Sequence, residues 1–491
     1  MEGMAGRPAP MDATTGDPGL QAAIAALADP SAEARRLAMP TLLDAWRRAG
    51  EPASAAEERI ASPAAARVLS EILARSGRPE PLPEWISLAT QAGVAVPYDL
   101  LPELIHTGAR VMDMREMVAG ALGPCGRWLA TLNPAWSYAA KPPATPGTWG
   151  TATAQQRLGI LREMRRSDPA AGLALVRSTW AAGLALVRST WAADPPGVRM
   201  ALLGGLSVGL GMADEPFVES ALDDEHKEVR AAGARLLATL PGSRLVGRMT
   251  KRLAPLLWPR GRGGLLDRLR GVRLRVDVKL PAACDRGMRR DGIQPNPPHG
   301  TGERAWWLQQ MLASVPPSVW TVRWGMDAAA CLSAARASGH GALLVRGWAE
   351  AAILSRDADW AETLLRAEAG TDWLNAIKGL AAALPPDRLE RLVLERMRDT
   401  GRQAEDEDDF TLQMLDMARA WSPALTRAVL AALPAPPLPR WSGIRSRLGR
   451  YALHMHPATA VAIAGLRERD PGEGEWLDLI HLRHAMHQAF S

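Results

Sequence analysis

Along most of this chain, apolar residues fall in runs of helix formers, and strict alternation of β-branched with polar residues is scarce. That pattern predicts helices. A recurrent punctuation mark supports it: Asp or Ser followed at once by Pro, then a helix-forming run. It occurs at Asp17-Pro18, Asp29-Pro30, Ser62-Pro63, Asp168-Pro169, Asp194-Pro195, Ser422-Pro423 and Asp470-Pro471. The carboxylate or hydroxyl accepts from the free N–H groups of the first turn. Proline at the first helical position loses nothing, because its missing donor would be unpaired there. Starts spread from end to end predict many helices of ordinary length.

The densest helical stretch is predicted over 155–166, 169–191, 195–209, 215–222, 225–240 and 243–256, with turns of a few residues between. Short connections make neighbouring helices antiparallel, and stacked antiparallel pairs make a solenoid. Within Ser220–Met249 an Asp turn (Asp223, Asp224) precedes a helix carrying Val229-Arg230, small residues Ala231, Ala232 and Ala234, and core residues Leu236 and Leu237. That order has the look of a HEAT-type repeat, with weaker echoes at Asp194…Val198-Arg199 and Asp29…Ala34-Arg35. One segment breaks the helical pattern. From Val272 to Leu280, Val272, Leu274, Val276, Val278 and Leu280 alternate with Arg273, Arg275, Asp277 and Lys279, the period of a half-buried strand. It is expected either to pair with a neighbour or to pack as an extended connector.

The expected fold class is all-α: an α-solenoid of HEAT-like helix pairs, with a short irregular or extended basic connector near the middle. Its blocks read as a disordered tail (1–16), an N-terminal helical block (17–140) and a Pro/Gly/Thr linker (141–150). HEAT-like repeats (151–256), the basic connector (257–300) and a C-terminal helical block (301–491) follow. Ala170–Trp180 is repeated letter for letter at Ala181–Trp191. Eleven residues turn a helix to within ~20° of three full turns and lengthen it by ~16 Å, so such an insertion keeps its apolar face in register. A protruding, partner-reaching helix is one reading of it. A slippage duplication tolerated because of its length is the other, and a perfect copy with no specialisation favours it.

Composition narrows the setting. The 491 residues are 47% hydrophobic and 23% charged, which permits a buried core and excludes wholesale disorder. Three cysteines far apart rule out a disulfide framework and suit a reducing compartment. The start lacks the basic and apolar regions of a signal peptide. The longest uncharged apolar stretch, Met200–Ala213, is 14 residues, short of the ~18–20 that cross a bilayer. A soluble, cytoplasmic protein without membrane partners is expected. The formal charge of +5 is local: Arg244–Arg290 holds 14 Arg and Lys against three Asp, leaving the rest of the chain at −6.

Gly292–Trp320, with its RAWW block, the repeat region Ser220–Ser243 and the Leu-Asn-Pro-Ala-Trp at 132–136 together resemble an uncharacterised bacterial HEAT-like family with a domain of unknown function. The resemblance covers roughly Leu129 to the C-terminus. It implies company with MoxR-type AAA ATPases, von Willebrand factor A-domain proteins and SWIM zinc-finger proteins, and so a role in a chaperone-like ATPase system. It implies no catalytic residues. The duplicated helix departs from the family's single copy.

Catalytic signatures are few. Gly205-Leu206-Ser207-Val208-Gly209 spells G-x-S-x-G, but a nucleophile elbow needs a strand before the serine, and this one lies in a helix-like segment. There its glycines suit close helix packing. No Gly-Lys dipeptide exists for a phosphate loop and no His-Glu dipeptide for a zinc helix. His481, His484 and His487, with Asp478, sweep about 180° of a helix surface and cannot all reach one metal, although a neighbouring pair joined by His454 or His456 would bind one weakly. With Leu479, Leu482 and Met486 as the apolar stripe, they read as polar-face residues. No cofactor is expected.

The basic connector is the best binding candidate. Arg260, Arg262, Arg268, Arg270, Arg273 and Arg275 suit phosphates or an acidic protein surface, and Trp258 suits stacking on a base. The same arginines also suit the chain's own acidic helices, or plain solvation. Trp306-Trp307 suits a partner anchor, with the two rings about 100° apart and at least one in the core. The sequence therefore reads as a non-catalytic α-solenoid adaptor binding a protein partner. The alternatives are a HEAT-like nucleic-acid-binding protein using Arg260 to Arg275, and a hydrolase at Ser207.

Overall fold

The computed structural model describes residues 17–29, 31–49, 58–75, 79–140, 146–165, 173–261, 274–367, 374–399, 409–418, 420–432, 447–460 and 474–491. These residues are predominantly helical, with one two-stranded sheet among them. Local chemistry sets many of the helix starts. Asp17 Oδ1 accepts from the N–H groups of Gly19 and Leu20, Ser62 Oγ from Ala65, and Ser422 Oγ from Ala424 and Leu425.

Two of the expected starts work differently. The Ala32–Arg48 helix is capped by Ser31, which accepts from Ala34 N–H at 3.3 Å, while Asp29 accepts from Ser31 N–H one turn earlier. At Asp194-Pro195 the helix begins at Pro196 without a side-chain cap, because the Asp194 carboxylate is held by Arg157 at 2.6 Å and Thr190 at 2.8 Å. Asp168-Pro169 and Asp470-Pro471 lie outside the described residues.

The chain divides into two compact units: Met1–Pro143 with Ala420–Ser491, and Ala144–Arg419. Residues 420–491, which from sequence continue the 301–419 helices, thus group with the N-terminal block. In the first unit, the Gly474–Phe490 helix packs on Pro63–Ala74 and Leu82–Ala92. Trp85 meets Phe490 edge-on at 5.5 Å, and Leu482 and Met486 join a core with Leu69, Ile72, Trp85 and Leu104.

In the second unit, alternate helices pack side by side over 154–238 and again over 341–417. Pro196–Leu206 lies against both Ala154–Arg165 and Lys227–Ala238, and Lys227–Ala238 against Gly341–Ser355. Gly341–Ser355 packs on Glu303–Ala313 and Leu374–Ala383, which in turn contacts Asp409–Met417. The predicted 215–222 helix is an α-helix over Glu215–Ser220 closed by a 3-10 turn over Ala221–Asp223. Buried tryptophans Trp320, Trp324, Trp348 and Trp360 form a chain of ring contacts 5.2–5.9 Å apart through the later helices. The duplicated segment contributes to one continuous helix, Leu173–Thr190, whose second copy buries Leu184 and Val187.

The predicted strand exists over Arg275–Val278 (β2) and pairs antiparallel with Leu257–Arg260 (β1). The register sets Leu257 opposite Val278, Trp258 opposite Asp277, Pro259 opposite Val276, and Arg260 opposite Arg275. Residues opposite each other share a face, and alternate residues change face. One face therefore carries Leu257, Pro259, Val276 and Val278, and Leu257 and Val276 are buried. The other carries Trp258, Arg260, Arg275 and Asp277.

A candidate interaction face on the hairpin

The hairpin brings three of the sequence-predicted binding residues together. Trp258 is 43% exposed, unusual for an indole on an otherwise buried helical scaffold. Arg260 and Arg275 stand directly opposite each other, a like-charge pairing that a sheet does not tolerate without compensation. Asp277 supplies it, accepting from Arg260 at 3.2 Å and from the Arg275 Nε–H at 3.0 Å. The two arginine side chains remain 67% and 50% exposed. Surface pairs of this kind are worth at most about 1 kcal/mol, so both guanidinium groups stay free to exchange partners. A cavity of about 340 Å³ opens beside this face, lined by Trp258, the β2 residues and the Ala337–His340 turn, with Ser338 and His340 as its polar wall.

Arg262, Arg268, Arg270 and Arg273 lie outside the described residues. Trp306 is not part of the hairpin face. It sits half-buried on the Glu303–Ala313 helix, with its indole N–H buried and lacking a hydrogen-bond partner. Its neighbour Trp307 is the core residue of the pair and donates to Pro295 O at 2.9 Å.

Much of the remaining basic segment is occupied by the chain's own carboxylates. Arg244 pairs with Glu215, and Arg248 with Glu219 and Asp291. Arg252 pairs with Asp291, and Arg290 with Glu219 and Asp223. Hydrogen bonds from Arg244 and Arg290 hold the Glu215 and Asp223 carboxyls below their ordinary pKa values. The excess positive charge read from the sequence is thus partly cancelled in space by Glu215, Glu219 and Asp223 from earlier in the chain and by Asp291 just after the segment.

Residues 3–490 match a family described as a family of unknown function (DUF5691). The chain belongs to this family. The match includes the N-terminal block, which the sequence resemblance left out. No curated protein and no solved structure matches the chain.

The other motifs of this family member fall into structural roles. Ser207 follows a helix, not a strand, and its hydroxyl donates to Gly204 O at 2.6 Å. A Cβ at Gly205 would meet Leu158 and Leu161 within 3 Å, and Gly209 adopts φ +63°, so two of the motif's glycines serve packing and a left-handed turn. That turn wraps a guanidinium. Arg165 donates to the carbonyls of Leu206, Val208 and Gly209 and bidentately to Asp214, with its side chain fully buried.

In the other unit, His487 and Arg483 share Glu84 as acceptor, and His484 contacts Gln488. His481 and Asp478 line a cavity of about 610 Å³ with Glu71 and Arg75. Among the described residues no group of three or more His, Cys, Asp or Glu could hold a metal ion. All three cysteines are buried, and burial pushes the Cys331 thiol up to about 12, away from nucleophilic chemistry. No helix among the described residues is long and apolar enough to cross a membrane.

Sequence reasoning missed the buried arginine clamps. Arg35 donates through Nε and Nη2 to the Oε2 of Glu103, and also to the carbonyl of Asp29. Arg483 spans Glu84 and the carbonyls of Ala452 and Met455. Arginine abundance masked them: nothing local separates a clamp from the many surface arginines.

Proposed function

We propose that the protein is a non-catalytic α-solenoid adaptor built of HEAT-like helix pairs, which presents an extended rigid surface to a protein partner. The observation carrying this reading is the side-by-side packing of alternate helices in the Ala144–Arg419 unit, tied by arginine–aspartate links between successive turns. Arg157 reaches Asp194, and Arg199 reaches Asp224 in the turn before the next helix, each at 2.6 Å. Repetition of one helix-to-turn link gives a stack its regular advance, and a stack offers a long face without a pocket. A MoxR-type AAA ATPase or a von Willebrand A-domain protein is the first partner to seek, in the cytoplasm.

The test is a native pull-down of the tagged chain from its own cells, split into nuclease-treated and untreated halves. A stoichiometric protein partner that survives nuclease is expected. Partners that vanish with nuclease would replace the adaptor with the nucleic-acid reading, for which the exposed Trp258, Arg260 and Arg275 are the contact candidates.

A further inference from the structure

The outward hairpin face has a definite layout. Trp258 and Asp277 form one cross-strand row, and Arg260 and Arg275 form another two residues along. Two residues of strand span about 7 Å, so an apolar surface and a pair of guanidinium groups are separated by the advance of two residues of an extended chain. The cavity beside the face is walled on its far side by small residues, Ala337, Ser338 and Gly339, which leave room for a backbone.

Charge sorts the occupants. Each arginine keeps N–H donors beyond its bond to Asp277, and a carboxylate accepts them in the planar fork geometry. A phosphate chain fits less well. Trp258 is the single exposed tryptophan, tyrosine or phenylalanine among the residues whose side chains are described, whereas single-strand binders stack successive bases on several aromatic rings.

We infer that this face takes an extended acidic segment of a protein partner, in which an apolar side chain and a carboxylate stand two residues apart. The apolar side chain covers the exposed indole of Trp258, and the carboxylate bridges Arg260 and Arg275, displacing part of their bonding to Asp277. This rests on the adaptor reading and names the chemistry of its partner.

The test is fluorescence anisotropy with the full-length protein and a labelled soluble peptide of Leu-Ser-Glu repeats. The same peptide with lysine for glutamate and a single-stranded oligonucleotide of equal length are run alongside. Saturable binding of the glutamate peptide is expected, weakened about tenfold or more in R260Q/R275Q and in Trp258→Ala, with both variants keeping the wild-type thermal midpoint. The control Arg47→Gln, at an exposed pair on the Ala32–Arg48 helix, is expected to bind as wild type does. Absence of glutamate-peptide binding, unchanged binding by both variants, or tighter binding of the oligonucleotide would overturn the inference.

The pull-down separates the two claims. A partner captured equally by wild type and R260Q/R275Q leaves the adaptor standing and removes this face from it. Peptide binding with no partner captured keeps the face and removes the adaptor.

Discussion

At the scale of single residues, the arginines divide by what lies within reach of the guanidinium. Arg165 is the clearest of the buried kind. Burying a charge costs several kcal/mol, which the Asp214 carboxylate and the carbonyls of Leu206, Val208 and Gly209 offset. Removing the cation strands a buried carboxylate and leaves those carbonyls with fewer donors. Arg165→Met is therefore expected to cost about 3–5 kcal/mol, seen as a lowered urea midpoint for the Ala144–Arg419 unit. A change under about 1 kcal/mol would mean that the clamp is dispensable. Ser207 illustrates the opposite case, a residue whose motif suggests chemistry but whose neighbours give it a helix-end role. The sequence carried the reason: a helix-like run precedes the serine where an elbow needs a strand.

At the scale of elements, the six helices placed over 155–256 and the strand were legible because their determinants are local. A cap acts on N–H groups two or three residues away, and periodicity is read within one element. The exceptions obey the same physics. Ser31 outcompeted Asp29 as a cap, and Asp194 was drawn off by Arg157, a partner 37 positions distant. The β2 alternation was visible, but its partner Leu257–Arg260 was not, since Leu-Trp-Pro-Arg has no alternating pattern of its own.

The duplicated helix yields a prediction at this scale. Its second copy buries Leu184 and Val187 and sets Trp191 against Phe217 at 5.0 Å. Eleven residues return the face to within ~20°, so the first copy supplies the same residue types in the same register after deletion. Deleting Ala181–Trp191 is expected to leave the thermal midpoint unchanged or raised. A large drop would show that the added length itself is needed.

At the scale of the whole molecule, charge that is clustered in sequence is redistributed in space. Of the 14 basic residues of Arg244–Arg290, Arg244, Arg248, Arg252 and Arg290 meet Glu215, Glu219, Asp223 and Asp291. Pairs of this kind make stability depend on pH. Burial works to raise the Glu84 carboxyl, but hydrogen bonds and charge from Arg483 and His487 outweigh it and hold its pKa below the ordinary 4.5. Glu362 shows the same balance against Arg366 and Arg388.

A carboxyl depressed in the folded state contributes stability that is fully present above its unfolded pKa and is lost as pH falls through the folded value. The thermal midpoint is thus expected to hold from neutrality down to about 4.5 and then to drop. Glu84→Gln should lower the midpoint at neutral pH and flatten that acid limb. An unchanged acid limb would place the acid sensitivity elsewhere.

The sequence by itself determined the helical class, several of the helix starts and the strand, because each depends on residues a few positions apart. It also supplied Trp258, Arg260 and Arg275 as binding candidates. Only the tertiary structure decided that these three share one exposed face, since cross-strand register joins positions 15 and 19 apart. Only it separated clamping arginines from exposed ones. A guanidinium is defined by what it faces, and Arg35 with Glu103, or Arg483 with Glu84, face each other only after the chain has folded.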